Sequence, residues 1–346
     1  MTNIRRALQA AAGGGVSPPA IILATKTSPF LDAWEWDDTG FGAKYSNPST
    51  LMTAMAYDLA VAPTEDAIIV PYDVGGGFAA YGWDSSSGFG TKYSNASVGD
   101  VGYSAAFNSD ATVALLGTNK DAEAGLDAFN FNSASGFGSQ FSVPSTPGTW
   151  SGLGVAFHPS DTAVAVAHSL SPYLTAYPWS SGFGTVYSNP STLPAGNGHG
   201  VNFSNDGSDI AVGVGSSPFV AAYPWSSGFG TKYADPSTLA AELVRRVSWS
   251  ADSAFIATIC NGGQKLDVYP WSSGFGSRYS SPSTLPSGNG RAVAWSPDGD
   301  YIGVASGSSP YIQVYPFSSG FGTKWANPSS AASGDAVGIG FVGGPP

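Results

Sequence analysis

The tripeptide Gly-Phe-Gly begins at residues 40, 88, 136, 182, 228, 274 and 320, at separations of 48, 48, 46, 46, 46 and 46. A chain that writes one motif seven times at nearly constant spacing is built from one supersecondary unit copied seven times, which restricts the fold more than any single residue does. Three copies agree closely: YPWSSGFGTVYSNPSTLP from Tyr177, YPWSSGFGTKYADPSTL from Tyr223 and YPWSSGFGSRYSSPSTLP from Tyr269. Between copies lie two runs of strand character, as in RAVAWSPDGDYIGVASG, where Pro-Asp-Gly separates AVAW from YIGVA. A third run, YIQVYPF, leads into SSGFG as a turn, and TKWANPS follows as a fourth short strand. Four strands in a unit of about 46 residues make a β-propeller blade.

A second marker gives the same count, because the aromatic expected to end each first strand falls at Tyr57, Phe107, Phe157, Phe203, Trp249, Trp295 and Phe341. The N-terminal unit opens on its second strand, AIILATK, while AVGIGF follows the last Gly-Phe-Gly. The C-terminal strand is therefore expected to complete the N-terminal blade and remove two open sheet edges. The expected fold is all-β: a seven-bladed β-propeller of four-stranded blades over residues 20–346, preceded by an arm at residues 1–19. Lys44, Lys92, Lys232, Arg278 and Lys324 fall on the outermost strand, where charge blocks edge pairing. Tyr45, Tyr93, Tyr187, Tyr233, Tyr279 and Trp325 beside them are expected between blades, and the phenyl ring of each Gly-Phe-Gly over the end of its own sheet.

Composition excludes several classes of function. Charged residues make up 11% of the chain and the net charge is −11, so binding to a phosphate backbone would work against the overall field. The apolar runs are strand-sized and broken by Gly or Ser, which rules out insertion in a membrane as a helix. The single cysteine, Cys260, allows no intrachain disulfide and reads as a small buried hydrophobe. In MTNIRRALQAAAGGG the twin arginines raise the possibility of an export signal, but ALQAAA is short and holds a Gln. A short helix from Asn3 to Ala12 on a glycine hinge is the preferred reading.

Little in the chain advertises chemistry. His158, His168 and His199 are scattered, and no GxSxG, HExxH or CxxC is present, so no catalytic residue, cofactor or metal is expected. Asp206, Asp209, Asp298 and Asp300 lie in hairpins where Asp-Gly makes a turn, and no acidic twelve-residue loop surrounds them. The glycines of GFGTK precede a strand, where phosphate loops precede a helix. The loops between second and third strands vary most, and Phe30, Tyr173, Phe219 and Tyr311 enter the third strand from them. These four are the candidate ligand-binding residues, weighed against the plainer and preferred reading that they fill the wedge between blades.

The stretches VAFHPSD, VSWSADS and VAWSPDG, each followed by a small-residue strand, resemble the WD-repeat propellers, although Tyr-Pro-Trp stands where that family has Trp-Asp. The Tyr-Pro-Trp-Ser-Ser-Gly-Phe-Gly units and the start MTNIRRALQAAAGGG are similar to propeller proteins of tailed-bacteriophage virions. That resemblance implies a non-enzymatic structural or adhesive protein on the virion surface. It would be anchored through Ile4, Arg5, Arg6 and Leu8 to other virion proteins, with a host-surface glycan or protein as partner. The alternative is a cellular carbohydrate-binding or protein-interaction propeller, secreted or cytoplasmic. An enzyme ranks third, supported only by the central channel that propellers offer as a pocket.

Overall fold

The computed structural model describes residues 18–74, 77–96, 98–119, 125–144 and 149–343, and the arm with Ile4, Arg5, Arg6 and Leu8 lies outside the described residues. Seven antiparallel sheets follow one another along the chain, in the order expected of seven blades. The first blade is completed by the far end of the chain, since Ala336–Val342 pairs with Ala20–Thr25 in the register Ile21↔Phe341 and Leu23↔Ile339. Both faces of each sheet are covered by neighbouring blades, and strands such as Ala20–Thr25, Ala163–His168 and Asp209–Val214 are accordingly buried along their whole length.

The layers between blades are aromatic. The residue expected there from each blade meets the third strand of the next blade edge-on: Tyr45 on Trp83 at 5.2 Å, Tyr187 on Trp225 at 5.2 Å and Tyr233 on Trp271 at 5.1 Å. The series runs round the ring and ends with Trp325 against Trp36 of the first blade at 5.8 Å. Each such pair is worth about 0.5–1.5 kcal/mol beyond the area it buries. Closure therefore rests on side chains as well as on the shared sheet.

Three expectations are corrected. Only the first three blades hold a regular outer strand, at Gly40–Lys44, Gly88–Lys92 and Gly136–Gln140, and each begins on Gly-Phe-Gly itself. In the other four blades that strand shrinks to one bridge, as between Trp179 and Phe183. The cause is the proline of Tyr-Pro-Trp: Pro178, Pro224, Pro270 and Pro316 stand where the first three blades have Glu35, Gly82 and Asn130. Proline offers no N–H to an outer strand, and only its carbonyl is used, accepting from the amide of Gly184 at 2.8 Å in the fourth blade. The second glycine of the motif is needed at this contact, because a Cβ on Gly184 would lie 3.0 Å from the Cβ of Pro178. Tyr57, finally, does not end an inner strand; Val61 does, in Ala60–Val61, and Tyr57 stands four residues earlier at the opposite end of the sheet.

The outer-strand charges do more than guard an edge. Lys44 reaches Asp32 at 2.6 Å and Arg278 reaches Asp267 at 2.8 Å, while Gln140 donates to Asp127 at 2.7 Å. The aspartates are buried at the start of the third strand, where an unpaired carboxylate would be costly.

The hairpin loops between first and second strands and between third and fourth gather on one face, here called lower, and carry the turn aspartates of the repeat. Asp206 accepts from the Ser208 amide at 3.0 Å, and Asp298 from the Asp300 amide at 3.0 Å, so both serve their own turns as expected. Asp37, Asp84, Asp110, Asp161 and Asp252 occupy equivalent loops, and among the described residues no lysine or arginine lies in them. The loops between second and third strands, and those between blades, form the upper face.

Candidate functional site

In six blades the innermost strand loses register with the second near its upper end. The residues accommodated there are Val337, Tyr103, Leu153, His199, Arg245 and Arg291, and Tyr57 takes the same place in the second blade. A bulge turns a side chain out of the alternating pattern. Here it presents these residues to the upper mouth of the central channel, except Val337, which is buried in the core between the first two blades. A second set surrounds the first, formed by the residue after each second strand, or, in the second blade, after the Tyr72 bridge that extends it: Lys26, Asp73, Asn119, Ser169, Gly215, Asn261 and Gly307.

The mouth is chemically lopsided. On one side Arg245 donates from Nε to Asn261 Oδ1 at 2.7 Å, and no carboxylate bonds it among the described residues. Beside it Arg291 meets Asp335 at 3.4 Å, and Lys26 meets the same carboxylate oxygen at 3.0 Å. Burial, then the neighbouring Arg291 and Arg246, push the Arg245 guanidinium toward losing its proton, while Asp335 opposes them. Opposite stand Tyr57 and Tyr103, with ring centroids 5.3 Å apart, and Asp73. His199 lies between these walls, packed over Gly215, where a Cβ would come within 3.5 Å of its Nε2. Burial, assisted by Arg245 and Arg246, pulls its pKa down to about 4, so the imidazole is neutral at pH 7.

The floor is an ion pair across the channel. Arg246 reaches Asp58 of the second blade at 3.1 Å, and Ser104 donates to the same oxygen of Asp58 at 2.9 Å. Around this strut lies a cavity of about 200 Å³ lined by Gly154, Gly200, Val247 and Ala292 among others. Of the four arginines that follow residue 6 in an acidic chain, three stand at the mouth or in the channel. Among the described residues, no group of three or more His, Cys, Asp or Glu is placed to hold a metal ion.

Phe30, Tyr173, Phe219 and Tyr311 are half-buried on the same upper face, at φ of 69°, 69°, 70° and 67°. Each closes the turn that carries it: the Tyr173 amide donates to Leu170 at 2.7 Å, and its carbonyl accepts from the His168 amide at 3.0 Å. His168 is enclosed, stacked on Trp150 at 4.3 Å and bonded to Thr175 at 2.9 Å, and His158 bonds Gly207 in the lower loops. Of the histidines, only His199 joins the mouth. The sequence reading missed this cluster, although aligning the seven repeats lays Tyr57, His199, Arg245 and Arg291 in one column.

The class is thus a closed seven-bladed propeller with its polar cluster at the upper mouth of the channel. No family model matches the chain, and no curated protein matches it significantly. Solved structures do. The periplasmic gluconolactonase of Pseudomonas aeruginosa is 15% identical at a TM-score of 0.69, covering 95% of this chain and 100% of its own. A Bacteroides fragilis protein provisionally named a 6-phosphogluconolactonase gives 12% and 0.74, covering 94% of this chain and 98% of its own. A Bacteroides uniformis protein of the same provisional name gives 13% and 0.72, covering 94% and 100%.

Likeness at this identity shows the fold. It also corrects the expectation of a non-enzymatic virion protein or interaction scaffold, which rested on the look of the repeats: propellers matching nearly the whole chain are named lactonases. The WD-repeat resemblance, the virion resemblance and a virion-surface location gain no support from these neighbours. No helix among the described residues is long and apolar enough to cross a membrane.

Proposed function

We propose that the protein is a hydrolase of cyclic esters, acting on a lactone held at the upper mouth of the channel. The observation that carries the reading is the pairing of a neutral imidazole, His199, with a guanidinium, Arg245, that no carboxylate bonds among the described residues. The lactonase names of the structural neighbours favour the same reaction.

Ester hydrolysis needs a proton acceptor for the attacking water and a positive group for the oxyanion that forms. Water adds to the carbonyl carbon while His199 takes its proton, and Arg245 stabilises the negative oxygen. The ring C–O bond then breaks, and the departing alkoxide takes the proton back from His199. One water is consumed, the product is a hydroxy acid, and the imidazole is neutral again. Asn261 is a positioning residue, since its bond to Nε fixes the plane of the guanidinium and leaves the two terminal nitrogens for the ligand.

The test is hydrolysis of δ-gluconolactone and 6-phosphogluconolactone above the buffer rate, followed by release of acid. Arg245→Ala is expected to lower kcat by about 100-fold, the loss seen when one oxyanion donor is removed, and His199→Ala by about 100-fold or more. Absence of catalysis by the folded protein across a panel of five- and six-membered lactones would overturn the reading.

A further inference from the structure

We infer that Lys26 and Arg291 form a seat for a permanent anionic group, a phosphate or carboxylate, on a ligand bound at the mouth. The inference deepens the reading above by naming the substrate as an acidic lactone, and it rests on that reading only for the word lactone. Two cations converge on one oxygen of Asp335, at 3.0 and 3.4 Å, so the carboxylate marks where an anionic oxygen sits between them. One carboxylate does not neutralise both, and Arg245 adds a third cation coupled to the pair.

The arrangement is also unsaturated. Arg291 Nε and Asp335 Oδ1 are enclosed and have no hydrogen-bond partner among the described residues. A structural ion pair at this depth normally fills such positions. Gly307 keeps the adjoining space open, because a Cβ there would lie 3.2 Å from Asp335 Oδ1 and 3.6 Å from Arg291 Nε. Arg245 lies to one side with His199 beyond it, so a ligand anchored at this seat would turn its ring toward those two residues.

Binding is measurable without catalysis. Calorimetric titration of the full-length protein would use inorganic phosphate, gluconate and 6-phosphogluconate as probes, at concentrations up to about 10 mM. Phosphate and 6-phosphogluconate binding with little for gluconate identifies a phosphate seat, whereas gluconate and 6-phosphogluconate binding with little for phosphate identifies a carboxylate seat. Arg291→Gln and Lys26→Gln are each expected to weaken the preferred probe about tenfold, with partial recovery in Arg291→Lys. Asp335→Asn should tighten binding several-fold, because it removes the carboxylate that competes for both cations; a purely structural cluster would instead lose melting temperature and gain no affinity. Failure of all three probes to bind, or an unchanged affinity in Asp335→Asn and Arg291→Gln, overturns the seat. Lactonase activity that persists with no preference between neutral and acidic substrates would leave the hydrolase reading standing without it.

Discussion

Replacing Phe183, Phe229 and Phe275 together by serine tests whether the repeated tripeptide is architecture. Each ring meets the tryptophan of its own Tyr-Pro-Trp edge-on, at 5.0, 5.1 and 5.0 Å, and the buried tyrosine at 5.8, 5.8 and 5.5 Å. The rings are half-buried, so each contributes about half of the roughly 1.5–3 kcal/mol of a fully buried phenylalanine, plus about 1 kcal/mol from the aromatic pair. That gives about 2 kcal/mol per ring, or about 6 for three rings in separate blades with no shared ring contact. At about 2.1 cal/mol/K per residue, a chain of 346 residues unfolds with an entropy of about 0.7 kcal/mol/K, and the loss lowers Tm by about 8 °C. Calorimetry measures it directly. Phosphate binding at the mouth should be unchanged below the transition, because the turns lie on the opposite face. A Tm within about 2 °C of the parent would refute the architectural reading, since half-buried rings cannot be removed for so little.

His168 makes stability depend on pH. Burial pulls its pKa from 6.5 down to about 4, so between those values the unfolded chain binds a proton that the folded chain does not. Its share of stability is complete above pH 6.5 and falls by about 1.4 kcal/mol for each unit below, until pH 4; denaturant melts of the parent and of His168→Gln should differ by that slope. For His199 the neutral form is the active one, so hydrolysis should hold steady from neutral pH down to about 5 and fall only near pH 4, and a midpoint at 6.5 would exclude it as the proton acceptor. Deleting residues 335–346 removes the strand that completes the first blade and leaves Ala20–Thr25 as an open edge; aggregation or a marked loss of Tm is expected, and unchanged melting would refute closure by that strand.

The number of blades and the layers between them were legible because the unit is written seven times, and the closure because the repeat opens on a second strand, AIILATK, and ends on a spare first strand, AVGIGF. The shortened outer strands were legible in principle: the prolines at 178, 224, 270 and 316 are visible, and only their place opposite the outer strand was missing. The mouth was hidden for a different reason. Arg245 and Arg246 are adjacent in sequence, yet one turns to Asn261 at the mouth and the other crosses the channel to Asp58. Period-two alternation cannot foretell this, because the bulge that separates them is a departure from alternation. The cluster is also spread over blades 46 residues apart, so no local motif contains two of its members from different blades.

The repeat explains why chemistry sits on one face only. Lower loops are short hairpins whose aspartates accept the amides of their own turns, as Asp206 and Asp298 do, so these positions are committed to the fold. Upper loops join blades or second to third strands and are free to differ, and the innermost strand widens into them through its bulge. The division is also electrostatic. Among the described residues, acids without lysine or arginine in the lower loops repel an anion from that side, while Lys26, Arg245 and Arg291 face it from above on the wall of the mouth that holds Asp335. The Arg246–Asp58 strut separates the two environments within the channel. An anionic ligand thus meets an attractive field only where the bulged residues converge, although the chain as a whole carries a charge of −11.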